Sequence, residues 1–162
     1  MTFLIKFIAF VVAACIFCTS QTEACQCAPM ANFTQAYCQA NWVSHVEVIS
    51  NSSSEDNAWL KYEVKHIKTF KTPSEAEPLP ASVLTPSHSA TCGITELVNA
   101  NQYLMAGTVD EGKKLHIYSC LYMPLQDMQL NNQQSADGVL QWKHVPDSLV
   151  QQLSTTNNST CA

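Results

Sequence analysis

Arginine is absent from the chain, and glycine occurs only four times in 162 residues. Nucleic-acid binding needs a basic footprint, and the net charge of −5 opposes one. The nearest basic run, Lys61, Lys65, Lys68 and Lys71, is interleaved with Glu63 and is expected to be the solvated face of a strand. No nucleic-acid partner is expected. The shortage of glycine leaves no Gly-rich phosphate loop, and there is no nucleophile elbow. A His-Glu-x-x-His run is missing too, and His45, His66, His88, His116 and His144 are scattered. His116, within Leu115-His116-Ile117, reads as an ordinary strand residue because no second ligand lies at useful spacing. The chain is therefore not expected to be an enzyme or to hold a cofactor or catalytic residue of its own.

Long apolar runs are confined to the start, where Lys6 is the only charge between Phe3 and Phe17. That run is shorter than the ~20 residues a membrane span needs, and no basic stop-transfer cluster follows it. Thr22 and Ala24 flank Glu23 as small residues flank a signal-peptidase site. Residues 1–24 are read as a signal peptide, with a cut after Ser20 as the rival. No membrane anchor is expected. Lys6 and Glu23 would leave together, so the net charge is unchanged. Cleavage after Ala24 makes Cys25 the first residue of a single secreted, extracellular domain spanning 25–161.

Cys15 and Cys18 depart with the signal, leaving Cys25, Cys27, Cys38, Cys92, Cys120 and Cys161. Six cysteines in a secreted chain imply three disulfides, with fifteen pairings that spacing cannot choose among. Sequons at Asn32, Asn51, Asn157 and Asn158 are glycosylation candidates that agree with a secretory route.

Strand signals outnumber helical ones. Leu60, Tyr62 and Val64 alternate with Lys61, Glu63 and Lys65, and the phase slips near His66-Ile67, where a β-bulge is expected. Trp42 to Ile49 and Gln102 to Thr108 read as strands. Asp110-Glu111-Gly112 predicts a turn into Leu115-His116-Ile117-Tyr118, completing a hairpin. Thr34 to Ala40 lacks helix breakers. After Pro146, Leu149, Val150 and Leu153 recur with helical spacing. The proline-rich stretch Thr72 to His88 and the polar stretch Asp127 to Gly138 are expected to be loops. These elements suggest a mainly β protein, a small, partly open barrel with short flanking helices.

Several stretches then recur in one order: Cys25-Gln26-Cys27-Ala28-Pro29, the strand Tyr62 to Lys71, Ser87 to Gly93, and Tyr103-Leu104-Met105-Ala106-Gly107. In them the chain resembles the N-terminal domain of the tissue inhibitors of metalloproteinases (TIMPs), a netrin-like (NTR) module with an OB-fold-type Greek-key barrel. The resemblance implies disulfides Cys25–Cys92, Cys27–Cys120 and Cys38–Cys161. It also implies that the α-amine and carbonyl oxygen of Cys25 chelate the catalytic zinc of a target protease. An open zinc position normally holds the attacking water, so a chelator there removes the nucleophile. An unperturbed α-amine has a pKa of about 7.7–8.0, leaving a useful fraction neutral near pH 7. Gln26, Cys27, Ala28 and Pro29, with Ser89, Ala90 and Thr91, would complete a wedge in the protease cleft. The implied partners are zinc metalloproteases of the matrix type, met by a monomer.

The chain also departs from the family pattern. Gln26 stands where Thr or Ser is usual, and desolvating its amide without partners costs about 1–3 kcal/mol. The His-Pro-Gln element between Pro29 and Cys38 is missing, one extra residue is present, and Asn32 carries a sequon. The six-cysteine C-terminal TIMP domain of vertebrate members is not expected here. Two function classes follow: a metalloprotease inhibitor acting through Cys25, or a netrin-like binding module serving as a secreted signalling or host-modulating ligand.

Overall fold

The computed structural model describes residues 25, 27–28, 30, 32–124, 139–156 and 158–161. The proposed signal segment, Gln26, Pro29, Asn157 and the expected loop Asp127 to Gly138 lie outside the described residues.

Two long strands, β1 (Trp42–Ser53) and β2 (Trp59–Lys71), form an antiparallel pair. They are followed by β3 (Ser82–Pro86), β4 (Gln102–Val109), β5 (Leu115–His116) and β6 (Leu140–Gln141). Hydrogen bonding runs β1-β2-β3-β5-β4, and β4 bonds back to β1, closing a five-stranded ring of OB type. β3 and β5 are parallel, whereas the remaining pairs are antiparallel. Closure leaves little free strand edge.

The phase slip near His66 has a direct cause. His45 pairs with Lys68 and the next residue, Val46, pairs with His66, so Ile67 is the extra residue of a bulge. It points outward and is 44% exposed.

Helix α1 (Phe33–Gln39) begins where Asn32 caps it, its Oδ1 accepting from the N–H of Gln35 at 2.9 Å. Helix α2 (Asp147–Thr155) starts directly after Pro146 and buries Leu149 and Leu153 at i, i+4. Both helices cover one outer face of the barrel. Two hydrophobic clusters result. Trp42, Val46, Tyr103 and Met105 point into the barrel, while Val43, Leu104 and Ala106 pack outward with Phe33, Tyr37 and Leu153. Successive strand residues face opposite ways, so a strand covered on both sides is buried almost throughout. This accounts for the unbroken run Tyr103 to Gly107.

The stretch Thr72 to His88 needs correction. Its prolines suggest an exposed loop throughout, but Ser82–Pro86 is a barrel strand with Val83 and Thr85 buried. The prolines flank that strand: Pro80 precedes it and Pro86 ends it, so no interior ladder N–H is lost. Residues Leu140–Gln141 form a strand that no sequence pattern indicated.

Candidate functional site

Three disulfides join Cys25 to Cys92, Cys27 to Cys120, and Cys38 to Cys161. The first two lie side by side, with Cys25 Sγ 3.4 Å from Cys120 Sγ. The sulfurs of Cys25, Cys27 and Cys120 lie within 4.8 Å of one another. Each is already consumed in a disulfide, so the cluster is a cross-link and not a metal centre. The third bond ties α1 to the final 3-10 turn, Asn158–Cys161.

The partner of Cys25 is placed by a compact local structure. Ser89–Thr91 is an exposed 3-10 turn, and Cys92 ends it in the left-handed region (φ 63°). That conformation is costly for a residue with a Cβ and is held by its surroundings. Here the Cys92 N–H donates to Ser89 O at 3.0 Å, and Gly93 N–H donates to His88 O at 3.0 Å. A Cβ at Gly93 would lie 1.9 Å from Pro86 O, so only glycine lets the turn fold back on the end of β3.

Ser119 joins the pieces, and nothing in the sequence marked it. Its N–H donates to Cys92 O at 3.0 Å, and its hydroxyl lies 3.3 Å from Cys25 Sγ. Beside this knot runs an open groove of about 430 Å³, lined in part by Ala28, Met30, Thr91, Tyr118 and Leu121. Cys25 is half-buried, whereas Cys27, Ala28, Ser89, Ala90 and Thr91 are exposed. The two short segments singled out in the sequence therefore meet at one edge of the barrel, bridged by Cys25–Cys92.

The other marked residues lie elsewhere. Asn32 and Asn51 are exposed, on the start of α1 and on β1, and Asn158 opens the final 3-10 turn. His116 Nε2 is 3.1 Å from Asp110 Oδ2 in the β4–β5 turn, a local contact. The lysine run is not uniformly solvated. Lys61 pairs with Glu63 at 2.6 Å, whereas Lys71 donates to Tyr37 O at 2.7 Å and lies 4.6 Å from the centre of the Tyr37 ring. Burial pushes the Lys71 ammonium pKa down.

Histidines 45 and 66 are structural. His45 stacks on Trp142 with ring centres 3.6 Å apart, and its Nε2 lies 2.9 Å from Gln102 Oε1. His66 bridges Ser44 Oγ at 2.9 Å and Pro80 O at 3.0 Å. In both, burial lowers the pKa, partly offset by a hydrogen bond that the ring donates, to Gln102 Oε1 in His45 and to Pro80 O in His66.

Among the described residues no helix is long and apolar enough to cross a membrane. The sequence profile of the family described as "Tissue inhibitor of metalloproteinase" matches residues 23–143. A Caenorhabditis elegans protein named "Putative metalloproteinase inhibitor tag-225" is 32% identical over 143 residues, which are 83% of this chain and 87% of that protein. "Metalloproteinase inhibitor 4" of Rattus norvegicus is 34% identical over 122 residues, 70% of this chain and 54% of the rat protein. "Metalloproteinase inhibitor 2" of Homo sapiens is 29% identical over 107 residues, 60% of this chain and 47% of the human one. The chain thus spans most of the nematode relative and about half the length of these mammalian ones. With the closed barrel and the matched length together, this chain belongs to the tissue inhibitor of metalloproteinase family.

Proposed function

We propose that the protein is a secreted inhibitor of zinc metalloendopeptidases, and that the α-amine and carbonyl oxygen of Cys25, freed by removal of residues 1–24, chelate the target's catalytic zinc. The observation that carries this reading is the bridge between Cys25 and Cys92, which sets the start of the domain beside the exposed turn Ser89–Thr91. Relatives named as metalloproteinase inhibitors support the partner class.

The chemistry needs rigidity as well as ligands. A chelating pair on a loose terminus would lose conformational freedom on binding, at about 0.5–1.5 kcal/mol per immobilised side chain and more for backbone. Two disulfides within three residues remove most of that freedom beforehand. Gln26 would then enter the pocket beside the zinc, and Cys27, Ala28 and Pro29 would run along the cleft on one side, with Ser89, Ala90 and Thr91 on the other. The metal belongs to the protease, and the inhibitor acts as a monomer with no cofactor of its own.

Gln26 favours a second reading, because a long amide in place of the usual small hydroxyl residue suits a netrin-like module that keeps the fold and binds another class of receptor. A single experiment separates the two. The mature N-terminus is determined by mass spectrometry, and inhibition of a metalloprotease panel is compared between the native form and one carrying an extra N-terminal residue. The inhibitor reading expects a start at Cys25 and complete loss of inhibition on extension, with folding intact. Equal potency of the two forms would transfer the function to another surface.

A further inference from the structure

Asn32 is built into the structure through only half of its side-chain amide. Oδ1 accepts from the N–H of Gln35 at 2.9 Å and caps α1. The carboxamide is planar, so turning its oxygen toward the helix turns Nδ2 away from it. Asn32 is exposed with extended backbone (φ −165°, ψ 173°), and Thr34 of the same sequon is exposed as well. N-linked attachment, from a lipid-linked oligosaccharide pyrophosphate, forms a bond from Nδ2 to C1 of the sugar as the C1–O bond to the pyrophosphate breaks. The lipid pyrophosphate leaves, Nδ2 loses one proton, and the lone pairs of Oδ1 stay in place. Cap and glycan are therefore compatible on one residue.

We propose that Asn32 is N-glycosylated and that the capped residue roots the glycan close to the N-terminal segment, where it restricts what can dock. The chain itself enforces the proximity. Asn32 follows Met30, which lines the groove, by two residues and Cys27 by five. Fully extended, those links span at most about 7 Å and about 18 Å. A branched, hydrated glycan rooted that close is bulky on the scale of the site. It touches none of the proposed zinc ligands, so its effect falls on the orientations from which a partner can approach. That is an effect on association rate more than on dissociation rate. Only the consequence for proteases rests on the inhibitor reading; the modification and the shielding do not.

The test uses the full chain secreted from insect or mammalian cells. Glycopeptide mass spectrometry is expected to find Asn32 occupied, and secreted protein with Asn32 unmodified overturns the proposal. Thr34→Ala deletes the sequon but keeps the cap, Asn32→Asp does the same with a carboxylate, and Asn32→Ala deletes both. The first two should keep the wild-type thermal midpoint and only the third should lower it. A drop for Thr34→Ala as large as for Asn32→Ala would overturn the separation of cap from glycan.

Shielding is read with a Fab raised against residues 25–31 of the unglycosylated protein. Its association rate should be at least about threefold faster for Thr34→Ala than for wild type, with the dissociation rate unchanged. Wild type trimmed by an endoglycosidase should match the variant. Equal association rates for all forms would overturn the shielding. The same comparison is then run with metalloproteases. A Fab contrast with no inhibition of any protease would leave the glycan inference standing and reject the inhibitor reading.

Discussion

The α-carbons of Cys25 and Cys92 are 5.0 Å apart although 67 positions separate them in the chain. This bond, with Cys27–Cys120 two residues on, fixes both Cys25 and Cys27 to the barrel. In the inhibitor reading, Gln26 is the residue expected to enter the pocket next to the zinc.

Replacing Gln26 by Thr is expected to improve inhibition of matrix-type metalloproteases by on the order of tenfold. An unpaired buried amide costs about 1–3 kcal/mol, and about 1.4 kcal/mol corresponds to a factor of ten. Gln26→Gly should weaken binding to any protease that the native form inhibits, since it empties the contact and loosens the backbone. Inhibition constants for the three forms decide it, and identical values across the panel would mean that the side chain lies outside the pocket.

The Cys38–Cys161 bond closes a loop of 123 residues and includes neither Cys25 nor Cys92. Loop-closure entropy puts its stabilisation at about 5 kcal/mol as an upper figure. Replacing both cysteines by serine should therefore lower the thermal midpoint strongly. Inhibition measured well below that midpoint should persist, because Cys25 remains bonded to Cys92. Loss of inhibition in a sample shown folded by near-UV circular dichroism would make α1 part of the binding surface.

Gly107 sits at a close approach of backbone and side chain in the barrel. It pairs with Trp42 across β1 and β4, and a Cβ there would lie 2.0 Å from His116 O and 2.7 Å from Trp42 Nε1. One of those obstacles is backbone that cannot swing aside. Gly107→Ala should destabilise by about 1–3 kcal/mol or more, as overpacking does. Chemical denaturation measures this, and a midpoint unchanged from wild type would mean that the β4–β5 turn yields freely.

Acid should weaken the fold through His45 and His66. Both have folded-state pKa values lowered by burial, so the unfolded chain binds protons more readily than the folded one. Their contribution is fully present above the unfolded value of about 6.5 and is lost as pH falls through the lower folded values. The thermal midpoint is expected to fall between pH 7 and pH 5, and less steeply in His66→Gln. The same slope in the variant would assign the acid sensitivity to other groups.

Much of the architecture was legible in the chain because it depends on local pattern. Alternation from Leu60 to Val64 marks a half-buried strand and its slip marks the bulge at Ile67. The spacing of Leu149 and Leu153 marks α2, and Asp110 to Gly112 marks a tight turn. Strand β3 was hidden because Pro80 and Pro86 read as loop signals when nothing in the sequence tells which strand ends they occupy. Strand β6 is too short to carry a period at all.

By itself the sequence determined the kind of chain: acidic, without arginine, rich in short strands, and with six cysteines after an apolar N-terminal run. Spacing left fifteen ways to pair those cysteines, and the family resemblance singled out the three bonds that the structure shows. Tertiary structure alone decided that Ser119 joins Cys25 to the end of the turn Ser89–Thr91 at one edge of the barrel. It also decided that His45 lies under Trp142. The reason is physical: these contacts join residues tens of positions apart, and their distances are set by ring closure of the sheet and by helix packing, which no local window of sequence encodes.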